Sequence, residues 1–194
     1  MLSRLKLLAL GGALLCGGLG CSVSTLSPGA SAAGDDESPV QYDGQGRLRF
    51  PQDWRRWVLV GSSLGLGYSD RQGAAGQQAF HHVLMEPSAF RHYERTGEFA
   101  EKTMFALAIY SQGSRQSIAR AGSYSKDLMA VEIALKDHER FEEGWAYFDF
   151  GTGRAVSRAF DKSGCWSCHN EHGQKDNVFL QFYPVLRGAE QRAE

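Results

Sequence analysis

Apolar and polar residues alternate along the stretch LMAVEIALKD: Met129, Val131, Ile133 and Leu135 fall on one side, Ala130, Glu132, Ala134 and Lys136 on the other. A period of two is the mark of a strand with one face on a core. TMFALAIYSQ alternates in the same way, with Phe105, Leu107 and Ile109 set against Ala106 and Ala108. WVLVGSSLGLGY and AFHHVLMEP read as two further strands separated by a Gly- and Ser-rich segment, and GWAYFDFG as an aromatic strand bounded by Gly144 and Gly151. Between them Pro87 opens PSAFRHYERTG, a short helix closed by Gly97. About five strands, one early helix and a helical C-terminal segment predict an α+β domain on a predominantly antiparallel sheet, and exclude a helix bundle.

The pattern changes at both ends. Arg4 and Lys6 precede an apolar run from Leu7 to about Leu19, the charge-then-apolar order of an export signal, here assigned to residues 1–20. The run is too short and too rich in glycine for a good membrane span. Cys21 directly after GGLG resembles a bacterial lipoprotein site and is the expected lipid anchor, although Gly18 stands where such sites usually carry leucine. The competing reading is ordinary signal cleavage near Ala32, in GASAAG. Residues 21–46 are rich in Ser, Gly, Ala, Asp and Pro without an apolar period, and read as a flexible linker. Residues 47–194 are the expected single domain. Either signal reading places it outside the cytoplasm, periplasmic or anchored facing the periplasm.

Composition narrows the function classes. The 194 residues are 42% hydrophobic and 11% aromatic, enough for a core, and the formal charge is −1. Without a basic cluster the chain lacks the long-range attraction on which nucleic-acid binding relies. Of four cysteines, Cys16 and Cys21 belong to the export segment, so only Cys165 and Cys168 remain as thiols in the domain. An exported domain with one pair this close has no disulfide framework and uses both locally.

Those two lie in GCWSCHNEHG. Cys-x-x-Cys-His is the attachment signal of one covalent c-type haem: each thiol adds to a vinyl group, and the adjacent imidazole lies under the iron. Cys165, Cys168 and His169 would then hold the cofactor, with His169 on the metal. Zinc ranks below haem, because Cys165, Cys168, His169 and His172 crowd into eight residues where structural zinc sites separate two pairs by a loop. A thioredoxin-like dithiol ranks lower still, since it belongs at a helix start in a βαβ unit.

The sixth position of such an iron decides its chemistry. An electron-transfer cytochrome usually fills it with methionine, and none of Met1, Met85, Met104 and Met129 follows His169. His172 shares the proximal side with His169, whereas His81, His82, His92 and His138 are candidates for the opposite face. The leading expectation is an open site that binds a small molecule.

The segment CWSCHNEHGQKDNVFLQFYPVLR resembles the C-terminal signature of the cytochrome P-460 and cytochrome c′-beta family, and HHVLMEPSAFRHYERTGEFAEKTMF and GWAYFDF are similar to its earlier segments. The resemblance spans about residues 80 to 187. It implies a mostly antiparallel fold, a homodimer, and a high-spin haem on His169. Family members of the P-460 type cross-link a lysine to the haem, use a distal carboxylate and oxidise hydroxylamine, passing electrons to a partner cytochrome. Those of the c′-beta type lack the cross-link and bind nitric oxide or similar gases in an apolar pocket. TMFALAIYSQ has no lysine, and Lys102 and Lys126 stand just before strands, where a solvated surface role is expected. Glu132 is a distal relay only if its face meets the haem; a solvated face is the default. Phe80, Phe105, Trp145, Tyr147 and Phe148 are candidates to wall the pocket, with ordinary core packing as the alternative.

Overall fold

In the computed structural model the described residues are 39–67 and 78–193. The export segment expected over 1–20 and the linker up to residue 38 lie outside them, as does Tyr68. Among the described residues no helix is long and apolar enough to cross a membrane.

After the two-residue strand β1 (Leu48–Arg49), a five-stranded antiparallel meander carries the fold: β2 (Val58–Leu64), β3 (Ala79–Met85), β4 (Met104–Gln116), β5 (Ala119–Lys136) and β6 (Trp145–Asp149), each paired with the next in chain order. A short strand β7 (Val156–Ser157) pairs back with β1. Helix α1 (Pro87–Thr96) lies between β3 and β4; α2 (Cys165–His172) and α3 (Pro184–Ala193) end the chain. The α+β class with a C-terminal helical segment is thus the observed one.

Both faces of the sheet are covered, each by a different part of the chain. One carries Ala106, Ala108, Val131, Ile133, Leu135 and Phe148 against Leu48, Trp54 and Trp57 from the N-terminal part. The other carries Val83, Met85, Phe105, Trp145 and Tyr147 against Ala89 and Tyr93 of α1 and Leu186 and Ala189 of α3. The alternation expected for β4 and β5 therefore sorts side chains between two cores rather than between core and water. Met129 departs from it and is 53% exposed. The linker expected over 21–46 gives way earlier than its composition suggests: Val40 and Tyr42 pack on the first core, and the Tyr42 hydroxyl donates to Asp137 at 3.2 Å.

Helix α1 starts and stops where its sequence indicates. Pro87 occupies the first turn, the Glu86 carboxylate accepts from the backbone N–H of Ser88 and Ala89, and Gly97 closes the helix at φ 69°, the left-handed geometry glycine adopts freely. Strands β4 and β5 run well beyond the expected segments and form a two-stranded arm. β3 pairs with β4 only as far as Ser111, and β6 with β5 only from Glu132 onward, so among the described residues the outer part of the arm pairs with no third strand and is mostly exposed. An apolar period has nothing to record there, which is why GSRQSIARAGSYSKD does not read as strand.

Candidate functional site

Helix α2 sets Cys165, Cys168 and His169 at positions i, i+3 and i+4, one above the other on a single face. The helix is anchored beside them: Trp166 packs on the second core, its indole N–H donates to the Glu143 carbonyl at 3.4 Å, and the Lys162 ammonium lies 4.6 Å from its ring centre. Both cysteines are half-buried free thiols. Among the described residues no three His, Cys, Asp or Glu side chains converge as a metal-ligand set, so the zinc reading finds no donor cage.

His169 is held on three sides. Its ring lies between Tyr147 and Phe179, with centroids 4.4 and 4.2 Å away. Its Nδ1 lies 2.8 Å from the Asn177 carbonyl oxygen. A carbonyl only accepts, so the proton sits on Nδ1 and the Nε2 lone pair is left for a metal. Burial lowers the His169 pKa against the opposing pull of that hydrogen bond, which keeps the imidazole neutral, the form that ligates.

A cavity of about 90 Å³, partly open to solvent, adjoins His169 and Cys165. Its apolar wall is formed by Val83 of β3 and Phe105 and Leu107 of β4, while His81 of β3 and Glu132 of β5 also line it. Cys168 is not in the lining, although it shares the helix.

These observations converge on a donor set for one kind of group, and comparison with known families decides which. The Cytochrome P460 family model matches residues 51–180, more than half of the chain. The chain belongs to the cytochrome P460 family. It is therefore a haem-binding cytochrome. No curated protein matches it. The residues present fit a haem: two free thiols on one helix face, a neutral imidazole with Nε2 free, and a largely apolar cavity alongside.

Several expectations for this cytochrome need correction. The face of β5 that bears Glu132 is not solvated; the residue is half-buried and lines the cavity. Phe80 and Phe148 do not wall the pocket. Phe148 belongs to the first core, on the other side of the sheet, and Phe80 stacks on His82 there at 6.0 Å. Trp145 packs instead in the second core, and Tyr147 both lines the cavity and flanks His169. Of the four histidines weighed for the far face, only His81 reaches the cavity. His82 is bonded to the Ser62 and Ser125 hydroxyls at 3.0 and 2.7 Å, and His138 to Glu101 at 2.7 Å.

Among the described residues, no lysine or methionine lines the cavity. Lys102 is paired with Asp137 at 2.5 Å and Glu139 at 2.9 Å, and Lys126 with Asp127 at 3.4 Å. Met85 and Met104 are buried in the two cores. Asn177 and Phe179, which fix the imidazole, were not evident in the sequence, since neither a backbone carbonyl nor one phenylalanine among eleven signals its role by type.

Burial pushes the Glu132 carboxyl up, and the Asp149 carboxylate adds to the shift. The unfolded chain releases this proton in the ordinary range while the folded chain keeps it to higher pH. The folded state thus binds more protons in that interval, and its stability falls as pH rises through it. Glu132→Gln removes the slope. Thermal melting should show the variant gaining stability over the native protein at about pH 8 and not at about pH 4, where the carboxyl is protonated in both states.

Proposed function

We propose that this cytochrome is an exported, monohaem c-type protein that takes nitric oxide or a similar small nitrogen-oxide ligand at an open site. Cys165 and Cys168 would form the two thioethers, and His169 would supply a nitrogen donor to the iron. The observation that carries this reading is the lining beside His169, where Val83, Phe105 and Leu107 offer an apolar wall and, among the described residues, neither methionine nor lysine is present. Methionine would close the iron, and lysine would offer the amine for a cross-link. The bound haem would supply an iron centre that binds small ligands and exchanges one electron. The protein's part is to hold the Nε2 donor in place, exclude bulk water along the apolar wall, and present His81 and Glu132 to whatever enters.

A second reading, hydroxylamine oxidation with electrons passed to a partner cytochrome, is favoured by one feature. Glu132 is a carboxyl of raised pKa inside the cavity, suited to accept and return protons from an N–H or O–H group. A six-coordinate electron carrier is the third reading, with His81 as its nitrogen-donor candidate among the described lining residues. The N-terminal charge-then-apolar order supports export to the periplasm, with Cys21 as lipid anchor, and the family resemblance supports a homodimer.

Titration of the reduced protein with nitric oxide tests the proposal. Saturable one-to-one binding, with spectral change at low ligand concentration, is expected. A spectrum that does not respond to the gas would rule out an open site.

A further inference from the structure

We infer that Asp176 is a positioning residue for the His169 imidazole, acting through the carbonyl of Asn177; this rests on the reading of His169 as the iron ligand. The chain between α2 and the last strand-like bridge turns back over Lys175 to Val178. The Val178 N–H donates to the Lys175 carbonyl at 2.8 Å and the Lys175 N–H to the Val178 carbonyl at 3.4 Å. Both central residues are left-handed, Asp176 at φ 46° and Asn177 at φ 59°. Two successive positive φ values make a type I′ turn, which Asp and Asn tolerate better than other side-chain-bearing residues but which glycine fits best. Nothing in the backbone of such a turn requires aspartate.

What the aspartate adds is attachment. Its Oδ1 accepts from the Trp145 indole N–H at 3.1 Å and its Oδ2 lies 2.7 Å from the Lys136 ammonium. Those partners are the last residue of β5 and the first of β6, and they face each other in the strand register. Trp145 is buried, and the Lys136 ammonium is tied a second time, to the Phe99 carbonyl at 2.8 Å. The turn is therefore fastened to the end of the sheet, and not merely to the helix it follows.

The other side of the turn is equally constrained. Gly173 ends α2, and a Cβ there would lie 2.5 Å from the His169 carbonyl oxygen and 2.7 Å from the Asn177 carbonyl carbon, closer than side chains tolerate. Helix end and turn are thus pressed together, with the Asp176 carboxylate fixing the turn from the sheet side. The group held between them is the Asn177 carbonyl that accepts the Nδ1 proton. That hydrogen bond sets the ring's rotation and raises the basicity of Nε2, as partners of metal-bound histidines do.

Releasing the carboxylate should loosen the hydrogen bond and weaken the donation. In the full-length, haem-loaded protein, Asp176→Ala is expected to lower the ferrous iron–histidine stretching frequency in resonance Raman, raise the reduction potential, and change affinity for nitric oxide by about 10-fold. Asp176→Asn keeps an acceptor for Trp145 but loses the ion pair, and should shift the same observables less; it also serves if the alanine variant does not fold. Asp43→Ala, which breaks the Arg47 ion pair before β1, is the control for a purely structural loss and should leave the stretch in place. An unshifted stretch in both Asp176 variants would overturn the inference while His169→Gly still abolished the band. A band that survived His169→Gly would instead overturn the ligand assignment itself.

Discussion

Haem should be extracted completely by acidified organic solvent from the Cys165→Ser, Cys168→Ser double variant, whereas the native protein should retain all of it through denaturation. Each thiol adds across a vinyl group: a sulfur–carbon bond forms, the thiol hydrogen passes to the other vinyl carbon, and no external oxidant is consumed. A serine hydroxyl does not form this bond. The two cysteines are free and sit on one face of α2, and Trp166 on the second core holds that face toward the cavity side of the sheet. Single variants should keep haem on the remaining thiol. Haem that resisted extraction from the double variant would mean that another side chain carries it. Intact mass after denaturation reads the result directly.

His169→Gly should abolish the axial nitrogen without releasing the haem, because the thioethers do not depend on it. The visible spectrum of the reduced variant should lose its histidine-bound form. The flat space between Tyr147 and Phe179 would then be open, its walls 4.4 and 4.2 Å from the former ring centre. Imidazole added to solution should enter that space and restore the spectrum, since two aromatic faces and the Asn177 carbonyl remain to receive it. A spectrum unchanged by the substitution would place the ligand elsewhere, with His81 the next candidate because it lines the same cavity.

How much of this was legible in the sequence depends on the range over which each residue acts. The strands β2 to β6 and helix α1 could be read because their signals are local: a period of two, a proline at the start, a glycine at the stop. The arm of β4 and β5 was missed in extent because its mostly exposed outer residues carry no such period. Cys165, Cys168 and His169 stand out in the sequence because the motif is contiguous, and the structure places all three on one helix.

Glu132 shows where local reading ends. Alternation put it opposite Val131 and Ile133, and the usual inference, one face to the core and one to water, made it a surface residue. The sheet is covered on both faces, so the polar side of β5 meets the site. Nothing within the strand reports that α2 and the C-terminal segment fold back over it. His81 and His82 make the same point in adjacent positions: the first lines the cavity and the second is satisfied by two serines across the sheet. Neighbours in sequence on a strand point to opposite faces, and only the register of the whole meander says which face holds the site.

The arrangement also accounts for why the proximal side is so heavily built. Tyr147 comes from β6, Phe179 and Asn177 from the chain after α2, and the turn bearing Asn177 is fastened to Lys136 and Trp145 at the sheet end. Sheet, helix and C-terminal segment thus meet on one imidazole.

The most direct test of the account is the absorption spectrum of the reduced, full-length protein. A high-spin spectrum with an ordinary Soret band is expected, the signature of an uncrosslinked haem on His169 with its other face open. A strongly red-shifted Soret band would contradict that state and mean that a lysine outside the lining is joined to the haem, and a low-spin spectrum would contradict it by showing that a sixth ligand closes the site.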